Sequence, residues 1–216
     1  MTEKFIKNEQ FNFIRKQVAW IKDSTKQHLP PGVLASVYEL SNEKISNCVT
    51  ALTPEQKELM DFSGLKTVEA YEQALEQLPN YLLSFPTISE QQLKKLFPKS
   101  KKLKLPDLSN IDLHRLTYLS WNDSRSNKKY ILYELDSQLV GIECSFSPST
   151  KKNICSICHC HGEVTHFSTI TKAKKVNNPD YYKSIGNLIC VNSTECNKNI
   201  TDVSYLEEFL RESLKK

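Results

Sequence analysis

The sequence predicts an α+β fold: an N-terminal helical bundle over residues 1–85, then an antiparallel-sheet domain over 86–216 that carries a four-cysteine finger and ends in a helix. Three observations predict it. Apolar residues recur at helical spacing through the first 85 positions, punctuated by prolines and glycines. Short runs with strand-type alternation crowd between residues 102 and 144. Cys155 and Cys158 stand two residues apart, and Cys190 and Cys196 return about thirty residues later.

Residues 4–23 place Phe5, Ile6, Phe13, Ile14, Val18, Trp20 and Ile21 among charges, the pattern of an amphipathic helix with one broad apolar face. Pro30-Pro31-Gly32 breaks it, and Val33, Val37, Leu40, Ile45 and Val49 begin a second helical stretch with Ser41-Asn42 as a possible interruption. Thr53-Pro54-Glu55-Gln56 is a capped helix start, and Gly64 is read as its stop. The run from Thr67 to Leu78 is the clearest helix, halted by Pro79. Ser89 and Gln92 form a capping box before a short helix with Leu93 and Leu96.

The alternation Lys102-Leu103-Lys104-Leu105 reads as a strand with one cationic face. Three further strands are read at residues 116–121, 129–134 and 139–144, the last two turning at Asp136-Ser137-Gln138. Residues 145–150 are a turn-rich connector. The chain closes on a helix over 201–214, with Ser204 and Glu207 as a capping box and Val203, Leu206 and Leu210 facing inward.

Composition is that of a soluble protein, 39% hydrophobic and 25% charged. The five glycines form no phosphate-binding pattern, and no HExxH or GxSxG motif is present, which excludes the common nucleotide and hydrolase signatures. No segment reads as a signal peptide or a membrane span, so the expected compartment is the cytoplasm, where clustered thiols favour metal over disulfides. Nine Lys/Arg against eleven Asp/Glu lie up to Pro86, and twenty against fourteen lie beyond it. The basic C-terminal part implies an acidic partner, either nucleic acid or a protein surface. Six lysines fall within residues 94–104 and make this the most basic stretch.

Two close thiols on a knuckle, a hairpin, and a second pair just before a helix make the layout of a treble-clef zinc finger. Zn²⁺ takes four donors at tetrahedral angles, and two intervening residues let one turn aim two thiolates at one point. Cys155, Cys158, Cys190 and Cys196 are the expected ligands of one structural zinc. Cys160, His159 and His161 crowd the knuckle and could replace a member. Four thiolates fill the metal's coordination and leave no position for a reacting water, so no catalytic residue is assigned.

Several segments together resemble the FusB-type fusidic-acid-resistance proteins, also described as elongation factor G-binding proteins. They are Lys101-Lys102-Leu103-Lys104-Leu105-Pro106, Tyr118-Leu119-Ser120-Trp121-Asn122, Ser126-Asn127-Lys128-Lys129-Tyr130-Ile131, the knuckle cysteines, Gly186-Asn187-Leu188-Ile189-Cys190 and Cys196-Asn197-Lys198-Asn199-Ile200-Thr201-Asp202. The resemblance implies a helical bundle before a zinc-finger domain, zinc on the four cysteines, and binding to elongation factor G through the C-terminal domain. It also implies release of that factor from ribosomes on which fusidic acid has trapped it, with no small-molecule substrate and no membrane.

By the same resemblance the partner-contacting positions fall on Ile154, Ile185, Leu188 and Phe209. The family tends to carry an aromatic, a lysine and a tyrosine at the first three, and only Phe209 is kept. Tyr181, Tyr182 and Lys183 lie close enough in sequence to compensate. The alternative reading is a ribosome- or RNA-binding zinc module that uses the basic C-terminal part.

Overall fold

The computed structural model describes residues 2–98, 100, 103, 106–109, 111–123, 125–147, 149–171 and 182–215. The chain divides into two compact units, Met1–Leu83 and Ser84–Lys216.

The first unit is helical: α1 (Asn8–Lys26), α2 (Pro31–Asn47), α3 (Pro54–Leu59) and α4 (Val68–Gln77), followed by a 3₁₀ turn, Leu78–Tyr81. Phe11, Ile14, Val18 and Ile21 recur every three or four residues and bury one face of α1 against α2 and α4. Trp20 falls off that stripe, since two positions on a helix turn about 200°. It is 40% exposed and takes the Lys44 ammonium over its ring at 5.2 Å.

Ser41-Asn42 does not interrupt α2. Asn42 Oδ1 instead accepts the hydroxyl of the fully buried Tyr71 at 2.7 Å, which ties α2 to α4. Thr53 caps α3 as expected, with Gln56 Oε1 returning to the Thr53 N–H at 2.9 Å. That helix stops at Leu59, before Gly64 is reached. The ends of the unit are sewn together: the N–H groups of Phe5 and Ile6 donate to Tyr81 O, and Leu83 N–H donates to Ile6 O at 2.8 Å.

The second unit opens with α5 (Glu90–Leu96), capped by the Ser89/Gln92 box. Six antiparallel strands follow: β1 (Leu119–Asp123), β2 (Lys128–Leu135), β3 (Gln138–Phe146), β4 (Lys151–Ile154), β5 (His161–Ile170) and β6 (Ser184–Cys190). Two helices end the chain, α6 (Ser193–Asn199) and α7 (Ser204–Leu214). The order is β1-β2-β3-β5-β4 with β6 on the other edge of β5. Strand β5 is thus the spine, pairing with β4 through His161 to Val164, with β3 through Phe167 and Ser168, and with β6 along its length.

Strand periodicity splits the core of this unit in two. Ile131, Tyr133 and Leu135 of β2 join the cluster that contains the cysteines, β5, and Leu206, Phe209 and Leu210 of α7. Tyr130 and Leu132 point the other way, onto Leu93 and Phe97. The Phe97 ring sits so close to β3 that a Cβ on Gly141 would lie 2.7 Å from it, so only glycine fits. The β2–β3 hairpin turns on Asp136 and Ser137, both left-handed at φ 50° and 60°, the tight two-residue form that matches strand twist.

Several expectations are corrected. Residues 151–154, to which the sequence reading assigned no element, are a strand, β4. Cys196 lies on a short helix of its own, α6, and α7 starts afresh at Ser204. Ser204 is the first residue of α7 and does not cap it; Asp202 Oδ1 accepts both the Ser204 N–H at 2.9 Å and its hydroxyl at 2.6 Å. The strand expected at 102–105 falls mostly outside the described residues, and the Leu103 N–H donates to Ser100 O at 3.0 Å.

Candidate metal centre

Three elements deliver the four cysteines. The Cys155-Ser156-Ile157-Cys158 knuckle links β4 to β5, Cys190 ends β6, and Cys196 lies in the middle of α6. All four are buried, and their sulfurs lie within 4.8 Å of one another. Cys155 Sγ stands 3.9 Å from Cys196 Sγ, and Cys158 Sγ 3.7 Å from Cys190 Sγ. A disulfide needs about 2.05 Å, whereas a tetrahedron with metal–sulfur bonds of about 2.3 Å has edges of about 3.8 Å. The spacing therefore fits a tetrahedral thiolate-bound ion. Among the described residues the group excludes Cys160, His159 and His161.

Backbone geometry shapes the knuckle. Cys155 Sγ accepts the N–H groups of Ile157 and Cys190, each at 3.4 Å. His159 N–H donates to Cys155 O at 2.9 Å, and Cys155 N–H donates to Cys160 O at 3.0 Å. Closing this turn forces His159 to φ 56°, a left-handed conformation usually given to glycine. Its side chain is exposed, which explains why the position carries an imidazole without ligating.

Hydrogen bonding from Cys158, then Cys190 and Cys196, holds the Cys155 thiol well below its ordinary pKa. Hydrogen bonds within the same cluster, led by Cys155, push Cys190 and Cys196 up. Without a cation the pocket cannot keep four anions. A divalent ion removes that conflict, because it binds the thiolate form of each.

Asn197 ties α6 to the start of β1. Its Oδ1 accepts the Thr117 and Tyr118 N–H groups at 2.7 and 3.1 Å, and its Nδ2 donates to Tyr118 O at 2.9 Å. Lys129 is completely buried beside the centre. Burial pushes its pKa down to about 8, against an upward pull from Cys196, Cys144 and Cys190. Neither role was visible in sequence. Asn197 follows a ligand cysteine but reads as a surface residue, and a lysine beginning a strand reads as solvated.

The positions named for partner contact differ in exposure and in the strand face they occupy. Ile154 is 57% exposed at the end of β4, beside the knuckle, and Tyr182 is 70% exposed. Leu188 is half-buried, and its carbonyl accepts the Ser156 N–H at 2.9 Å, so it flanks the knuckle as well. Ile185, also half-buried, lies three residues away on the same strand and so faces the opposite side. Lys183 pairs with Glu212 of α7. Phe209 is only 5% exposed and stacks on Tyr205, so in this structure it is core rather than contact surface. Ile170, exposed at the end of β5, is a large apolar residue the sequence reading did not select. Tyr181 lies outside the described residues.

Comparison with known proteins gives three findings. Residues 97–213 match the family described as the FBP C-terminal treble-clef zinc-finger, and residues 5–86 match that described as elongation factor G-binding protein, N-terminal. The solved structure of the fusidic acid resistance protein FusC is similar over 97% of this chain and 98% of that one, with 29% identity and a TM-score of 0.78. Comparison with curated proteins gives no match. The second family match reaches the helical unit, where motifs alone showed only agreement in kind and length.

Proposed function

The chain belongs to the FusB-type family of elongation factor G-binding, treble-clef zinc-finger proteins, and from that premise we propose that it binds elongation factor G and protects translation from fusidic acid. The observation that carries the reading is the whole-chain similarity to FusC, which spans both units rather than the finger alone. The protein acts by binding and has no catalytic chemistry of its own. It works in the cytoplasm, where the factor and the ribosome meet.

Release of the trapped factor follows from differential affinity. The protein must gain more from the factor in its departing conformation than in its drug-held one, and it shifts the equilibrium by that difference. Cys155, Cys158, Cys190 and Cys196 hold one zinc, which clamps the knuckle, β6 and α6 into a single rigid body. Ile154 and Leu188 flank the knuckle and present apolar surface at its edge. Tyr182 and Lys183, just before β6, and Ile185 within it supply contacts separate from those at the knuckle edge. Phe209 contributes by setting the position of α7. Residues 1–85 and 86–216 act as two domains.

Titration of the purified full chain with purified elongation factor G tests the proposal. A one-to-one complex forms, and it persists at salt concentrations that would strip a lysine-driven RNA contact. No binding at micromolar concentrations of both proteins would refute the proposal. Steeply salt-dependent binding to RNA in place of the factor would favour the nucleic-acid reading instead.

A further inference from the structure

Two of the segments that carry the family resemblance, Tyr118-Leu119-Ser120-Trp121-Asn122 and Lys128-Lys129-Tyr130, take no part in the proposed partner surface. The fold brings one residue of each into the core that holds the cysteine quartet. Tyr118 belongs to the cluster formed by Cys155, Cys158, Cys190 and Cys196 and is completely buried. Its hydroxyl has no hydrogen-bond partner among the described residues, and the charged groups that act on it most strongly are the cysteines, Cys196 first. The backbone of Tyr118 is held in place on both sides by Asn197, the residue after that cysteine.

Lys129 lies on the same face of the sheet. Its ammonium donates to Asn122 Oδ1 at 3.2 Å and to Val191 O, next to Cys190, at 3.3 Å, and sits 5.1 Å from the Phe167 ring centroid. Those acceptors are neutral, and among the described residues no carboxylate pairs with it. A buried ammonium with no counter-charge is strongly destabilising. Cys144 faces it across the β2–β3 ladder but remains a neutral thiol, because burial pushes its pKa up to about 12. A zinc ion with four thiolates carries a net charge of two minus, and among the described residues Lys129 is the one buried cation. Each buried charge is the counter-ion that the other lacks.

We propose that Lys129 and Tyr118 form the outer shell of the four-thiolate centre, the ammonium balancing its negative charge and the hydroxyl donating to Cys196 Sγ. This rests on the reading of the quartet as a zinc site. Hydrogen bonds and charges around metal-bound ligands set affinity by about 10–100-fold. The shell also explains why a lysine and a tyrosine stand at core positions where apolar residues would pack without an unpaired polar group.

The test uses the full-length protein, loaded with zinc for affinity and with cobalt for spectroscopy. Competition with a chromophoric chelator should show zinc affinity falling about 10–100-fold in both Lys129→Met and Tyr118→Phe. The cobalt–thiolate charge-transfer band should move to lower energy, because the sulfurs lose donors that stabilise their lone pairs. Tyr133→Phe removes a hydroxyl from the same core, one bonded to Glu207 at 2.8 Å, and should leave zinc affinity and the cobalt band unchanged. If Lys129→Met does not fold, Tyr118→Phe decides by itself, since it deletes one oxygen and keeps the ring. Zinc affinity within about twofold of wild type and an unmoved band in Tyr118→Phe would overturn the proposal even if the melting temperature fell. A wild-type chain that binds no zinc would overturn the metal reading itself, and that result is distinct from the first.

Discussion

The two units solve the problem of stability differently. The helical unit buries large apolar and aromatic side chains, among them Tyr71, Phe62, Ile14, Ile21 and Met60, in a single continuous core. In the second unit the sheet divides its apolar residues between two faces, so neither core is deep. In its last part, from β4 to α6, four buried cysteines from the knuckle, β6 and α6 converge on one point. A small segment that cannot bury enough surface needs a cross-link or a metal. The contrast teaches that the first unit depends on shape complementarity, whereas the finger depends on one coordination centre.

Removing the metal should break the contrast most sharply. Zinc binding to such segments contributes on the order of 10–16 kcal/mol. Dialysis against a strong chelator, or Cys196→Ala, should therefore unfold β4 to α6 while the helical unit keeps its far-UV circular dichroism and amide spectrum. Collapse of both units together would contradict the comparison. Lowering the pH acts in the same direction, because protonated thiols release the ion.

The converse perturbation is Tyr71→Ala. It opens a cavity among Tyr38, Phe62 and Asn42, and truncating a buried aromatic costs about 3–5 kcal/mol. Chemical denaturation should show the loss in the helical transition, with zinc content unchanged by metal analysis.

A smaller effect sharpens the picture of the knuckle. His159 holds φ 56°, and a non-glycine residue in the left-handed region carries about 1 kcal/mol of strain. His159→Gly should raise the unfolding free energy of the finger by about that amount without changing its zinc stoichiometry. A decrease would mean that the imidazole makes a contribution beyond filling the position.

The smallest effect concerns α7. The Ser204 hydroxyl, followed by its N–H, holds the Asp202 carboxyl below the usual carboxylate range. A depressed folded pKa contributes stability that is present above the unfolded value and is lost as pH falls through the folded one. Asp202→Asn should cost about 0.5 kcal/mol at neutral pH, a carboxylate in an exposed turn being screened by solvent. Denaturation curves of the two proteins should converge in strong acid.

Where local chemistry was sufficient, the sequence was legible. Thr53 and Ser89 cap their helices with the side chains that their motifs imply, because a capping box involves only residues three apart. The quartet was legible for a similar reason, since only a few residue types bind a soft ion and their spacing makes the knuckle. Strand β4 was not legible. Lys151-Lys152-Asn153-Ile154 has no alternating apolar pattern and is a strand only because β5 offers it an edge. Phe209, placed among the partner contacts by resemblance, is buried, and the sequence carries no information on what α7 packs against.

The sequence by itself determined the order of the units, the capped helices, the hairpin at Asp136-Ser137 and the presence of a cysteine cluster at the knuckle, while Cys160, His159 and His161 stayed open as members until the fold brought Cys155, Cys158, Cys190 and Cys196 together. Each of these depends on interactions between near neighbours in the chain or on the chemistry of one residue type. Only the tertiary structure decided that Cys196 rides on a separate helix, that Ile185 and Leu188 face opposite ways, and that Lys129 is buried. Those outcomes depend on which strand pairs with which and on which charges end up together in the dry interior, and residues more than forty positions apart in the chain settle them: Cys155 meets Cys196, 41 positions on, and Lys129 meets Val191, 62 positions on.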